Sequence, residues 1–204
     1  MVSIGQIPTK DTLKHIQRIQ TFTIAWMSAE AALSLWAAWT ARSPALTAFG
    51  GDSTVELSSA VVVLWRFRTH ASDRAEPVAA RIAGGLLFAL AAYVVLASAM
   101  SLLGYNEPRP SYLGMAVLLG AALIMPVLAK EKRRLSTLTG SAALRADAAE
   151  SALCAYLSII ALLGLAVHAI WHIAWADPVA ALVITPLIVF EAREAMRGKA
   201  CGCC

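Results

Sequence analysis

Charged residues are scarce in this chain. Only 15% of its 204 residues are Asp, Glu, Lys or Arg, whereas 59% are hydrophobic. A soluble domain of this length would carry far more charge, so the composition excludes an ordinary water-soluble protein. We also expect no removable signal peptide, because the residues up to Gln20 are polar and mildly amphipathic.

Signatures of membrane enzymes are missing as well. The sequence lacks a Gly-x-Gly-Asp peptidase pattern, a nucleophilic Ser/His set and a phosphate-binding loop. We therefore expect no enzymatic activity and no bound cofactor. Cysteine is rare, with Cys154 in an apolar run and the other three at the C-terminal end, so we expect no external disulfide.

Long apolar runs, in contrast, are abundant. A run of about 20 apolar residues crosses a bilayer core that is about 30 Å thick. The sequence contains six such runs, at roughly 21–41, 45–65, 82–104, 112–129, 146–167 and 174–192. This pattern predicts an all-α polytopic membrane protein with six transmembrane helices.

The basic residues predict the orientation of these helices. All but two of the 17 Lys and Arg residues, Arg42 and Arg109, fall in connections on one side. By the positive-inside rule both termini are cytoplasmic, and the net charge of +4 needs no nucleic-acid partner. We predict a cytoplasmic lead-in at 1–20, a transmembrane domain at 21–192 and a cytoplasmic tail at 193–204. The protein would lie in the plasma or inner membrane of a bacterium, or in a vesicle membrane of a eukaryote.

Local signals predict the boundaries and contacts of several helices. Ser43-Pro44 is a typical start for the second helix. The basic segment 130–134 predicts a loop before the fifth helix, whose N-terminal end would project from about Ser136. Glycines in the third and fourth runs favour close helix packing; they are Gly84, Gly85, Gly114 and Gly120.

Acidic residues inside the apolar runs are the main functional signal. They are Glu30, Asp52, Glu56, Asp147 and Glu150. Each costs about 2.5 to 3.5 kcal/mol to insert near the centre of a membrane. Such residues normally face a cavity or bind a cation, so they predict a pathway for cations or protons. We find no Arg or Lys in mid-span to pair with the acids of the second run.

Two pairs of these side chains have the spacing of one helical turn. Asp52 and Glu56 share one helix face, and so do Glu150 and Cys154. Two helices that each present such a pair can converge on a four-coordinate ion, as Zn²⁺ prefers. The alternatives are a buried structural pair for the two acids of the second helix, and simple packing for Cys154.

Three segments resemble the cation diffusion facilitator family. Residues 43–59, with Asp52 and Glu56, resemble its second span and DxxxD metal pair. Residues 144–154, beginning Leu-Arg-Ala-Asp, resemble the ADxxHxxxD pattern of its fifth span, and Trp175-Ala-Asp-Pro resembles the start of its sixth. The Val-Leu-Trp-Arg-Phe sequence at 63–67 is similar to a compact vesicular zinc-efflux branch.

The resemblance implies a homodimer that exchanges a cytoplasmic divalent ion for protons by alternating access. Asp52, Glu56, Glu150 and Cys154 would hold the ion, with Glu56, Glu150 and Cys154 departing from the family's residue types. The mixture of carboxylates and a thiolate suits Zn²⁺, and also softer ions such as Cd²⁺, Pb²⁺ or Hg²⁺. We expect a compact member that lacks the family's cytoplasmic C-terminal domain. A non-transporting metal sensor or accessory subunit of the same fold is the alternative.

Other residues receive secondary roles. Asp147 would gate or salt-bridge the cytoplasmic mouth, with Arg145 close by, or else bind the ion. Glu30 would be either a proton relay or the partner of a polar group on a neighbouring helix. Asp177, before Pro178, reads as a helix N-cap.

Two sets of soft or imidazole ligands lie at the ends of the predicted bundle. His168 and His172 are four residues apart, and they form either a peripheral exit site or an interfacial pair beside tryptophans. The terminal thiols would capture soft metals, or form a passive or lipidated tail. They are Cys201, Cys203 and Cys204.

Overall fold

The computed structural model of this chain describes residues 10–69 and 76–197. Within these ranges the chain forms α-helices and no β-strand. The helices are α1 (Lys10–Ala41), α2 (Pro44–Thr69), α3 (Glu76–Leu102), α4 (Tyr112–Thr139), α5 (Ala142–Trp171) and α6 (Ala176–Met196). The predicted all-α fold is confirmed, and the six helices correspond in order to the six apolar runs.

Serine side chains mark where three of the helices begin. The Ser43 hydroxyl accepts a hydrogen bond from the backbone N–H of Leu46 at 3.1 Å, and Pro44 is the first residue of α2. This confirms the predicted start of α2, since proline has no N–H to leave unpaired there. Ser111 caps α4 and Ser141 caps α5 in the same way.

The fourth helix is longer than the sequence predicted, and it includes Ser136, where the fifth helix was predicted to begin. The basic segment 130–134 is not a loop, because α4 continues through it to Thr139. Gly140, with φ of 66°, makes the turn, and α5 begins at Ala142. At 1.5 Å per residue, α4 and α5 are each more than about 40 Å long, which exceeds a bilayer core about 30 Å thick. We call the end of the bundle that contains this turn the α4–α5 end.

The first helix also runs past its predicted boundary. It continues without a break from Lys10 to Ala41, so residue 20 is not the end of a structural element. Ile16 packs against Leu135 of α4 and Leu144 of α5, and both Ile16 and Gln20 are fully buried. The described part of the lead-in, residues 10–20, therefore packs one face against the bundle at the α4–α5 end.

Helix α2 lies at the centre of the bundle. It packs against α1, α3, α5 and α6, while α4 packs against α1 and α5. Helix α3 lies against α6, and Gly84 permits this contact, because a Cβ atom there would stand 2.8 Å from the backbone oxygen of Ala192. Gly114 and Gly120 are also at close approaches, whereas Gly85 has nothing nearby. The close packing predicted from glycine is thus confirmed at three positions.

The bundle is apolar outside and partly polar inside. Leu123 and Val127 of α4 and Leu163 of α5 are each more than 60% exposed. In the part of the chain that is described, three helical segments are long and apolar enough to cross a membrane: Gly84–Leu102, Tyr112–Thr139 and Leu144–Trp171. An exposed apolar surface around buried acids is the arrangement expected in lipid rather than in water.

Candidate metal centre

Acidic side chains from α1, α2, α5 and α6 meet inside the bundle. Glu30, Asp52 and Glu56 are each less than 5% exposed. Glu56 lies near Glu150 of α5, and Glu191 of α6 lies near both. With the buried Cys154 of α5, they form what we call the acidic cluster: Glu30, Asp52, Glu56, Glu150, Cys154 and Glu191. Glu56 therefore interacts with each of the other three candidate ligands predicted from sequence, although these ligands come from two helices that are far apart in the chain.

Glu191 is a member of the cluster that the sequence analysis missed. Its carboxyl group lies close to that of Asp52. Two carboxyl groups at close range repel each other when both are ionised, so a proton or a cation between them is favourable. Glu191 stands next to the predicted end of the sixth apolar run and could have been counted with the other intramembrane acids.

Glu30 links α1 to both predicted ligand helices. Its Oε1 atom accepts hydrogen bonds from the Ser53 hydroxyl of α2 at 2.8 Å and from the Cys154 thiol of α5 at 3.5 Å. Its Oε2 atom accepts from the Trp26 indole at 2.6 Å. Of the two roles left open for Glu30, the structure shows the contacts of a partner for polar groups on neighbouring helices.

The two carboxyl oxygens of Glu56 differ in their hydrogen bonding. Its Oε1 atom accepts a hydrogen bond from the Ser151 hydroxyl at 2.8 Å. Its Oε2 atom is buried and has no hydrogen-bond partner among the residues that the structure describes. A buried, unpaired carboxylate oxygen is costly, and a cation is the kind of partner that removes this cost.

Asp147 has a different partner from the one predicted. Its Oδ1 atom forms a salt bridge with Lys132 of α4 at 3.0 Å, and both side chains are fully buried. Its Oδ2 atom accepts from the Gln20 side chain of α1 at 2.6 Å. Arg145 is exposed. The predicted salt bridge is thus present but is made with Lys132, which the sequence analysis had placed in a loop.

Lys132 also corrects the expectation that no basic side chain is near the acids of α2. Its ammonium group lies 2.8 Å from the Ser151 hydroxyl, which in turn contacts Glu56. The positive charge interacts electrostatically with Glu56. Lys132 can make these contacts because α4 continues past the predicted end of its apolar run.

The acidic cluster has the chemistry of a cation site. Carboxylate oxygens and a thiol are ligands for divalent transition metals, and closely placed carboxylates need protons or a cation to balance their charge. In the present conformation, no three His, Cys, Asp or Glu side chains within 10–69 and 76–197 are arranged to hold one ion.

The histidines and Asp177 lie at the opposite end of the bundle from the Gly140 turn. His168 is buried, with Nδ1 3.0 Å from the backbone oxygen of Ile173, and His172 is exposed beyond the end of α5. Asp177 is not the N-cap of α6, which begins one residue earlier. Its carboxylate instead accepts from the Ser43 hydroxyl at 2.6 Å and lies close to the backbone of Ala45, at the start of α2.

The terminal cysteines lie outside the described residues. Cys201, Cys203 and Cys204 therefore keep the two roles that the sequence left open. Cys154, in contrast, is described and is a buried free thiol.

Comparison with known proteins agrees with this arrangement. The model of the cation efflux transmembrane domain matches residues 21–198, which is most of the chain. The chain belongs to the cation efflux, or cation diffusion facilitator, family. It is accordingly an integral, multi-pass membrane protein, and the family is one of metal-ion transporters rather than enzymes.

One curated relative is a bacterial efflux protein. The chain is 29% identical over 188 residues to the manganese efflux system protein MneS of Bacillus subtilis (strain 168). The match covers 87% of this chain and 64% of the relative, so the chain spans less than two thirds of the length of that protein.

Proposed function

We propose that this protein exports a divalent transition-metal ion through the acidic cluster. The observation that carries the proposal is the approach of the buried Asp52 and Glu56 of α2 to the buried Cys154 and the half-buried Glu150 of α5. In the cation efflux family, a site at this place would bind the ion during transport. The proposed ligands are Asp52, Glu56, Glu150 and Cys154, with Glu191 as an additional ligand from α6.

Two classes of ion are candidates for the transported substrate. Three carboxylates and a thiolate suit a four-coordinate Zn²⁺ ion or a softer ion such as Cd²⁺. Glu191 adds a fourth carboxylate, and a larger number of oxygen ligands favours a harder six-coordinate ion such as Mn²⁺. The bacterial relative is named as a manganese efflux protein, which also favours this ion. We place Zn²⁺ first and Mn²⁺ second.

Proton exchange follows from the chemistry of the ligands. A carboxyl group or thiol must lose its proton before it can bind the ion, so protons and metal compete for the same atoms. The close pair of carboxyl groups of Asp52 and Glu191 is one place where such a proton would reside. We propose that protons displace the ion on the outer side of the membrane and leave when the next cytoplasmic ion binds.

Flux measurements in proteoliposomes test this proposal. We expect uptake of Zn²⁺, Mn²⁺ or Cd²⁺ by vesicles that expose the α4–α5 end outward, with faster uptake when the lumen is more acidic. A metal flux that does not change with an imposed proton gradient would contradict the antiport. Saturable binding without any flux would instead favour the alternative, a membrane metal sensor or accessory subunit.

Assembly as a homodimer is part of the same proposal. The interface would lie among the apolar, exposed faces of the helices within the membrane. Mass measurement of the detergent-solubilised protein, by light scattering corrected for bound detergent, tests it. A strictly monomeric protein that still transports would contradict it.

A further inference from the structure

A continuous chain of polar contacts runs from Lys132 to the acidic cluster. The Lys132 ammonium donates to the Ser151 hydroxyl at 2.8 Å, and Ser151 donates to Oε1 of Glu56 at 2.8 Å. Lys132 and Ser151 are fully buried. Three helices, α4, α5 and α2, are joined by these two contacts at the α4–α5 side of the cluster.

The direction of these hydrogen bonds is set by the ammonium group. Lys132 can only donate, so Ser151 must accept from it and use its own hydrogen elsewhere. The Ser151 hydroxyl lies nearer to the Glu56 carboxyl than to the backbone oxygen of Asp147, which is 3.1 Å away. Oε1 of Glu56 is therefore held by a donor that a positive charge polarises.

The two oxygens of Glu56 consequently differ. Oε1 accepts from Ser151, whereas Oε2 is buried and has no hydrogen-bond partner in the described ranges 10–69 and 76–197, although the Cys154 thiol lies close to this carboxyl group. Lys132 is itself held by its salt bridge with Asp147 at 3.0 Å. Asp147 is held in turn by the Gln20 side chain at 2.6 Å. Rotation of the Glu56 carboxyl group would break the contact with Ser151.

We propose that Lys132 is a positioning residue for the transported ion, acting through Ser151 to hold Glu56 with Oε2 directed at the ion. This rests on the proposed function, because it assigns Glu56 as a ligand. Lys132 itself does not touch the ion. The competing explanation is that Lys132 and Asp147 form only a structural ion pair between α4 and α5.

Two variants separate these explanations. Ser151→Ala keeps the ion pair of Lys132 with Asp147 and removes the link to Glu56. The double variant Lys132→Met with Asp147→Asn removes both charges together, which avoids leaving one buried charge unpaired. Ser158→Ala is the matched control, since Ser158 is a buried serine on the same helix whose hydroxyl bonds only to the backbone of Ala155 among the described contacts.

The measurements are the KM and maximal rate of metal flux in proteoliposomes, and the Kd of the purified protein for Zn²⁺ and Mn²⁺. We expect both test variants to raise KM and Kd about 10–100-fold, the range found when partners of metal ligands are removed. The maximal rate per folded protein should change much less, and Ser158→Ala should match the wild type. A wild-type KM and Kd in both test variants would overturn the proposal.

Failure of the proposed function gives a different result. A wild-type protein that binds the ion but shows no flux would contradict export, yet the Kd values of the variants would still decide the role of Lys132. A wild-type Kd in the double variant, together with a raised Kd in Ser151→Ala, would show that the serine acts without the lysine. That result would also overturn the proposal.

Discussion

The Cys154 thiol of α5 lies 3.5 Å from Oε1 of Glu30 on α1, inside a cluster of carboxyl groups. Cys154 is fully buried, and it also lies close to Glu56 and Asp52. The sulfur therefore lies among carboxyl groups from two other helices, and its softness is the feature that sets this candidate site apart from one built of carboxylates alone.

Replacement of Cys154 by aspartate should change ion preference rather than abolish transport. An oxygen ligand in place of sulfur favours harder ions, so the ratio of Mn²⁺ to Cd²⁺ flux should rise in Cys154→Asp. A rise on the order of tenfold would correspond to about 1.4 kcal/mol of changed preference. Competition flux assays with both ions measure this ratio, with Cys154→Ala as the control for loss of sulfur alone. An unchanged ratio would mean that Cys154 only packs.

Replacement of Asp52 by alanine should remove flux of every ion tested. Asp52 is buried in the cluster and supplies a carboxylate that we assign to the ion in either coordination geometry. Glu107→Ala is the control, because Glu107 is an exposed acid in the connection between α3 and α4. Flux should be compared at equal amounts of folded protein. Substantial remaining flux in Asp52→Ala would remove this residue from the ligand set.

Glu191→Gln tests the ligand that α6 contributes. The amide keeps the size of the side chain but loses its charge, so we expect a higher KM for metal flux, with Mn²⁺ affected more than Zn²⁺. Glu194→Gln is a matched control on the same helix, where the side chain forms an ion pair with the exposed Arg197 at 3.0 Å. Such a surface pair contributes at most about 1 kcal/mol, so its loss should leave KM unchanged. Equal KM values in the two variants would argue against Glu191 as a ligand.

Lys132→Met should destabilise the protein strongly. It leaves Asp147 as a buried charge without its cation, and breaking a buried pair in this way typically costs about 3–5 kcal/mol. Addition of Asp147→Asn should recover much of this loss, because neither charge then remains. Thermal unfolding in a single detergent, followed for the wild type and both variants, measures the effect. If the double variant is no more stable than Lys132→Met, the salt bridge is not the source of the loss.

Ser43→Ala should lower stability without changing the affinity for metal. The hydroxyl caps α2 and also donates to Asp177 of α6 at 2.6 Å, at the end of the bundle away from Lys132. Loss of an N-cap typically costs about 0.5–2 kcal/mol. A lowered melting temperature with a wild-type KM for flux is the expected combination. A raised KM would show that this end of the bundle is coupled to the ion site.

Pattern and spacing were sufficient for much of the fold. Six apolar runs of bilayer length predicted the six helices in order, and Ser43-Pro44 predicted the start of α2, because these signals act within one helix or one turn. The pairs Asp52 with Glu56 and Glu150 with Cys154 were likewise readable from the four-residue spacing that places side chains on one helix face.

Contacts between helices could not be read in this way. The basic segment 130–134 looked like a loop because charge usually marks the end of an apolar run, yet α4 continues through it and buries Lys132 against Asp147. The partner of a charged side chain depends on which helices pack together. The spacing of residues along one helix does not predict that packing.

The sequence alone determined the class of the protein, the number of apolar runs and the acids available to a cation, because these depend on composition and on the helical period. Only the tertiary structure decided that Glu191 contacts Asp52 and that Lys132 reaches Glu56 through Ser151. Those contacts join α6 and α4 to α2 and α5. They exist because helix packing brings together buried polar groups that must find partners where water is excluded.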